Sequence, residues 1–409
     1  MNPIHNVAEH QVHQGKPMTA NTAKQRILWV LGVGALLVNA DNRAITPMLP
    51  AIAEVFGTTA SAAALLVTAY SIPYGLFQLA YGPLADRVGK VKTILCSLCL
   101  FALGTIACGF VDSYGWLLAL RFITGMFAAG IIPTTLALIG DQYDLAERPR
   151  AIAFFMSLST TGQALGIAVG GVVAQFASYR ALFIMLGIMA VPTLWALFMQ
   201  RKRDAVQQVE TLPLRSRYLA LLRSRRAWMI YSLVFLEGFL FFAGFTFLGV
   251  YGVDNLHLSY LAIGLLTVVY SAGAFIGSRT ITWVLQRTGA PNMPILGSLL
   301  MALGFAVIWV WPSVTALSIG FIVLGFGFSY CHSTLQTYAT DLLPQARATA
   351  MSVFAFSLFL GSGLGPIAGG WIFDLYGVDT MLGTTTVGLV LLSMLCTPLR
   401  KMSTRTQAG

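Results

Sequence analysis

Four charged residues stand where their neighbours are apolar: Asp41, Arg43, Arg121 and Glu237. Dehydration favours the protonated form of a carboxyl, whereas an adjacent cation favours the ionised form. A site where Asp41 meets Arg121 can therefore load and release a proton as its access to water changes. Asp41 precedes Pro47-Met-Leu-Pro50, and Arg121 opens the run Arg121-Phe-Ile-Thr-Gly125. Glu237 lies in Phe235-Leu-Glu237-Gly-Phe239-Leu-Phe241-Phe242. There an acid and ring faces together suit a cationic amphiphile. Asp41, Arg121 and Glu237 are the proton-coupling candidates. Arg43, two residues beyond Asp41, points to a different helix face.

Polar and aromatic residues at helical spacing suit a cavity wall. Tyr70, Tyr74 and Gln78 form one such series, and Tyr330, His332 and Gln336 another. With Arg43, Glu237 and Phe241 they complete the substrate-cavity candidates. An imidazole suits proton shuttling, but His332 is read as an interhelical hydrogen-bonding group rather than the coupling residue. No His-Glu-x-x-His, Gly-x-Ser-x-Gly or Walker-type run occurs. No enzymatic activity, metal or cofactor is therefore expected, and an ion gradient, H⁺ by preference, is left as the energy source. His5, His10 and His13 fall in a polar tail, and Cys96-x-x-Cys99 lies in an apolar run where thiols serve as packing residues.

The elements that must hold these residues follow from composition. Of 409 residues 57% are hydrophobic and only 10% charged, with a net charge of +10, against roughly 25% charged in soluble domains. The mean hydropathy is +0.76. Each crossing of a ~30 Å hydrocarbon core takes about 20 apolar residues. Twelve such segments are expected: Ile27–Phe56, Ala62–Leu84, Thr93–Val111, Gly115–Ile139, Ala151–Phe176, Ala181–Met199, Ala227–Tyr251, Tyr260–Leu285, Met293–Trp311, Val314–Thr340, Thr349–Phe373 and Met381–Leu399. The fold class is thus an all-α polytopic membrane protein, and soluble enzyme, nucleic-acid-binding and disulfide-scaffold readings are excluded. Placing both termini and the even-to-odd loops on one side leaves only Arg180 on the other, with Arg43, Arg121 and Arg279 inside spans. The termini are therefore expected in the cytoplasm of a cell-membrane protein.

The organisation expected is a tail at 1–26, six spans at 27–199, a basic linker at 200–226, six spans at 227–399 and a tail at 400–409. Leu219, Leu221 and Leu222 among the linker arginines suit a helix along the inner leaflet. Arg148-Pro-Arg-Ala and Gly166-Ile-Ala-Val-Gly170-Gly171 recur about 200 residues later as Arg347-Ala-Thr-Ala and Gly365-Pro-Ile-Ala-Gly369-Gly370. Arg87-Val-Gly89 recurs as Arg287-Thr-Gly289. Two related halves with a site between them describe this pattern.

Gly82-Pro-Leu-Ala-Asp86-Arg87-Val-Gly89-Lys90-Val-Lys92 resembles the loop signature G-x-L-A-D-R-x-G-[RK]-x-[RK] of the major facilitator superfamily. Arg121-x-x-x-Gly125 resembles that family's buried-arginine motif. Gly162, Gly166, Gly170 and Gly171 resemble the antiporter signature of its drug-exporting branches, with Ile167 in place of proline. Gly-Pro-x-x-Gly-Gly stands whole at Gly365, Gly369 and Gly370, outside its diagnostic place. The resemblance implies two six-helix bundles of the major facilitator fold, and a conformational gate formed by Gly82, Asp86, Arg87, Gly89 and Lys90. In that gate Asp86 latches the outward-facing state near Arg347. Physically, Gly82 and Gly89 permit close helix approach and a tight turn. The expected activity is proton-coupled export of small amphipathic molecules or drugs by rocking of the halves. The alternative is proton-coupled uptake of a sugar or organic anion. The expected partners are the lipid bilayer and a small-molecule substrate, with no nucleic acid, and the chain is expected to be a monomer.

Overall fold

The computed structural model describes residues 18–143, 147–200, 214–343 and 346–400. His5, His10, His13, part of the basic linker and the last nine residues lie outside the described residues, as does the Asp86 side chain. In chain order the helices begin with α1 (Met18–Ala44) and α2 (Leu49–Phe56), one span broken at Thr46–Met48. Pro47 and Pro50 mark that break, since proline lacks the N–H an uninterrupted helix needs. Next come α3 (Ala60–Val88), α4 (Lys90–Cys108), the broken fourth span α5 (Tyr114–Ala128) and α6 (Ile131–Gln142), then α7 (Arg148–Phe176) and α8 (Tyr179–Gln200). After the short α9 (Leu214–Arg223) the pattern repeats. It runs through α10 (Arg225–Phe245) and α11 (Leu248–Asp254), broken at Thr246, then α12 (Tyr260–Thr288), α13 (Met293–Val310), α14 (Val314–Thr340) and α15 (Arg347–Leu395). The last holds two spans joined at Gly377, whose φ of 79° only glycine adopts readily.

The ends of these helices are written locally. Thr59, Ser224, Ser259 and Ser313 each accept a hydrogen bond from the backbone N–H three residues on, which satisfies one of the free donors of a helix start. Gly89, between α3 and α4, has a φ of 104°, and Gly289 in the repeat has 80°. The tight turn expected at Gly89 therefore rests on a backbone conformation that L side chains resist.

Ten stretches among the described residues are long and apolar enough to cross a membrane. The stretch in α15 counts once although it holds two spans. The first span falls short because Asn39, Asp41, Asn42 and Arg43 crowd the end of α1. With those two adjustments the twelve-helix arrangement is complete. Large apolar side chains such as Trp116, Phe176, Trp195, Val310 and Trp371 point outward, as a lipid-facing belt requires.

Within each half, glycine sets the tightest packing. A Cβ on Gly162, Gly166 or Gly170 of α7 would strike the α1 backbone at Leu36, Ala40 and Ala44. About 200 residues on, Gly361, Gly365 and Gly369 of α15 stand the same way against Phe235, Phe239 and Ala243 of α10. The halves meet along α3 with α15 and along α7 with α12. There Gly171 lies against Gly264, and Gly370 against Ser61. Small residues let backbones approach where hydrophobic driving force between helices is absent.

Candidate functional site

A cavity of about 560 Å³ lies between the halves. It runs from Asn39, Ser159 and Gln163 at mid-helix to Gly82, Ala85, Arg217 and Arg347 at the helix ends. At the opposite end the halves are fastened together. Ser61 donates to Asp374, Tyr260 donates to Glu54 at 2.9 Å, and Thr68 donates to the Gly363 carbonyl at 2.6 Å. The cavity therefore opens toward the end that carries Gly82–Lys90 and α9, and is shut at the other. At the open end Lys90 pairs with Asp141, Arg148 donates to the Gly140 carbonyl at 2.5 Å, and Tyr218 of α9 donates to the Leu79 carbonyl at 3.2 Å.

Gly82, expected to permit close helix approach, has nothing within 4 Å of where a Cβ would sit. It lines the cavity, so no helix approaches it while this end is open. Arg347 likewise stands exposed on the cavity wall.

Asp41 and Arg121 meet. The Arg121 Nη1 donates to Asp41 Oδ2 at 2.6 Å, and both side chains are 0% exposed. Four helices converge on the pair, because the guanidinium also lies 4.4 Å from the Tyr70 ring centroid and 5.4 Å from that of Phe183. Asp41 Oδ1 and Arg121 Nε and Nη2 have no partner among the described residues. The pair sits inside the first half, outside the cavity lining. Stacked tyrosines connect it to the cavity: Tyr70 lies 5.8 Å from Tyr74, and Tyr74 lies 4.5 Å from Phe359 of the other half.

A second buried acid borders the cavity through a histidine. Glu237 Oε2 lies 3.2 Å from His332 Nδ1, with Glu237 fully buried and the imidazole 19% exposed on the cavity wall. The ring is held between Phe328, stacked at 5.1 Å, and Phe354 at 5.2 Å. The second oxygen of Glu237 has no partner among the described residues. The sequence alone did not join these two residues, since α10 and α14 are far apart along the chain. The available signal was their common place near the middle of two apolar spans.

Of the other cavity candidates, Tyr74, Gln78, His332 and Gln336 line the cavity. Arg43, Tyr70, Glu237, Phe241 and Tyr330 do not. Tyr70 covers Arg121, and Tyr330 shares a hydrogen bond of 2.8 Å with Thr280 on the far face of α14. Phe241 is fully buried in a cluster with Phe242, Phe245, Tyr270, Phe305 and Phe328, which turns it away from the cavity. Three lining residues that composition did not single out are Asn39, Ser159 and Gln163. Asn39 donates to Ser159 Oγ at 2.7 Å and so ties α1 to α7 at the cavity wall.

Comparison with known proteins bears on this arrangement. The chain is 25% identical to the multidrug efflux pump LfrA of Mycolicibacterium smegmatis, over 91% of this chain and 86% of that protein. It is also 25% identical to the MFS-type transporter YceJ of Bacillus subtilis, over 85% of this chain and 89% of that protein. A bacterial homolog of the human lysosomal transporter Spinster, solved inward-facing and unoccupied, superposes with a TM-score of 0.80 at 17% identity, covering 95% of this chain and 98% of that one. A point mutant of the nucleoside transporter NupG superposes with a TM-score of 0.76 at 14% identity, covering 91% and 99%. The sequence profile of the Major Facilitator Superfamily matches residues 31–261 and 253–408. With its twelve helices in two related halves around a central cavity, the chain belongs to the Major Facilitator Superfamily and is a membrane transporter.

Proposed function

We propose that the protein is a proton-coupled transporter that exports small amphipathic molecules across the cell membrane, with both termini cytoplasmic. The observation that carries this reading is the cavity wall at His332, behind which Glu237 is sealed from water. A proton added to this acid–imidazole pair changes the charge that the cavity presents. A molecule resting against His332 and a proton on the pair therefore sense each other, and such coupling is reciprocal by linkage. Rocking of the halves about the central cavity, with the fastened end parting as the open end closes, would then expose the same site to the other side. The Asp41–Arg121 pair, connected to the cavity through Tyr70 and Tyr74, is the second proton-coupling element. The efflux pump among the relatives supports the outward direction. A second reading, uptake of a sugar or organic anion with a proton, is favoured by the absence of any carboxylate among the described cavity-lining residues.

The test is flux in proteoliposomes under an imposed pH gradient, with cationic, anionic and neutral dyes. The wild type should show saturable flux that collapses with the gradient. Glu237→Gln should lower gradient-driven accumulation by about tenfold, the scale of a typical coupling energy, while substrate exchange without a gradient persists. Gradient-driven flux unchanged in Glu237→Gln removes Glu237 from the coupling. Flux indifferent to the gradient in the wild type removes proton coupling altogether.

A further inference from the structure

The two acids inside the spans each have a basic partner, and one arginine inside a span has no acidic one among the described residues. Asp41 binds Arg121, and Glu237 lies against His332. Arg279 is exposed on the outer face of α12 over the Phe275 ring. Arg43 has no hydrogen bond or ion pair among the described residues. Its guanidinium lies over the Phe242 ring of the other half, 4.8 Å from the centroid, and within electrostatic reach of Tyr270, with no hydrogen bond between them. A ring face attracts a cation but offers none of the oxygen acceptors that the five N–H groups of arginine require. Part of the Arg43 surface stays accessible although the residue lies against the other half. Asn39, one turn earlier on the same face of α1, lines the cavity. Arg43 thus stands one turn beyond the cavity's inner end.

The cavity matches this cation. Its described lining holds His332, Arg217 and Arg347 and no carboxylate, beside apolar surface from Met156, Leu358 and Phe359. We propose that Arg43 anchors the acid group of the transported molecule, and that the substrates are amphipathic organic anions, carboxylates or sulfonates with an apolar body. The planar fork of guanidinium fits such groups with two parallel hydrogen bonds. Arg43 belongs to the first half and Phe242 to the second. An anion taken up by Arg43 replaces a contact between the halves, which gives the substrate the differential interaction that a conformational shift demands. The inference rests on the cavity being a transport site, in either direction.

The experiment uses the purified full-length chain with carboxyfluorescein as the anionic probe and ethidium as a cationic probe of similar size. Equilibrium binding and proteoliposome flux are measured for wild type, Arg43→Gln and Arg43→Lys, with the thermal midpoint of each recorded. Saturable carboxyfluorescein binding by the wild type, weakened by about tenfold or more in Arg43→Gln and less in Arg43→Lys, is the expected result. Ethidium binding should not depend on Arg43. Should Arg43→Gln fail to fold, the comparison of wild type with Arg43→Lys decides, since the lysine keeps the charge but loses the fork. No carboxyfluorescein binding, or equal binding by wild type and the variants, overturns the proposal. Gradient-driven ethidium flux without carboxyfluorescein binding overturns the anion site and leaves transport standing. Arg43-dependent carboxyfluorescein binding with no gradient-driven flux of either probe keeps the anion site and overturns the transport reading.

Discussion

Arg121→Ala is expected to destabilise the protein by about 3–5 kcal/mol, because it leaves a buried carboxylate without its counter-charge. The Asp41 carboxylate has no access to water in this state, and its one hydrogen bond among the described residues comes from Arg121. The guanidinium also fills the space between the Tyr70 and Phe183 rings, so truncation removes packing as well as charge. Thermal unfolding in detergent is the direct readout. Replacing both partners, as in Asp41→Leu with Arg121→Leu, should recover much of the loss, since an apolar pair in place of buried ions is often neutral or stabilising. That double variant also separates two roles of the pair. Recovered stability with gradient-driven flux still missing identifies Asp41 and Arg121 as coupling groups. Recovery of both makes the pair an internal brace and leaves coupling to Glu237 and His332. An Arg121→Ala protein as stable as the wild type would show that the pair is not closed as described.

Gly166→Val should destabilise the first half by at least the ~1–3 kcal/mol typical of overpacking. The obstacle is Ala40 backbone, which cannot turn aside as a flexible side chain does. Gly365→Val should behave the same way in the second half, where Phe239 is the obstacle. Gly82→Ala is the matched control. It adds a methyl group where nothing lies within 4 Å, so the thermal midpoint should hardly move. If Gly82 is crowded only when the open end closes, Gly82→Ala should slow transport while leaving stability intact. A Gly166→Val protein purified with wild-type yield and thermal midpoint would contradict the close approach of α1 and α7.

Much of this architecture is legible in the residues themselves. The repeat in which Gly166 and Gly365 recur already implied two halves, and each glycine does face the equivalent helix of its own half. A guanidinium at Arg121, costing ~2.5–3.5 kcal/mol at mid-membrane, had to face a polar cavity or an acid, and it meets the acid Asp41. What the residues leave open is helix rotation. Glu237 and Phe241, four residues apart, share one face of α10, and nothing in that apolar stretch says that this face turns to Phe328 and His332 rather than onto the cavity. Tyr330 and His332, two residues apart, lie on nearly opposite faces of their helix; only the rotation of that helix decides that His332 takes the cavity and Tyr330 takes Thr280. The break at Thr246 is equally silent. Pro47 marks its counterpart in the first span, whereas no proline marks the seventh.

In the proposed transport cycle the cavity between the halves opens alternately at its two ends. Pulsed electron-resonance distances test it most directly, using spin-labelled pairs on an otherwise cysteine-free chain in liposomes. One pair joins exposed positions Val55 and Leu375 at the fastened end, and the other joins Leu84 and Arg347 at the open end. Changing pH with transported substrate present should lengthen the first distance as it shortens the second. Two distances that stay fixed, or that change in the same direction, under every condition of pH and substrate would contradict alternating access.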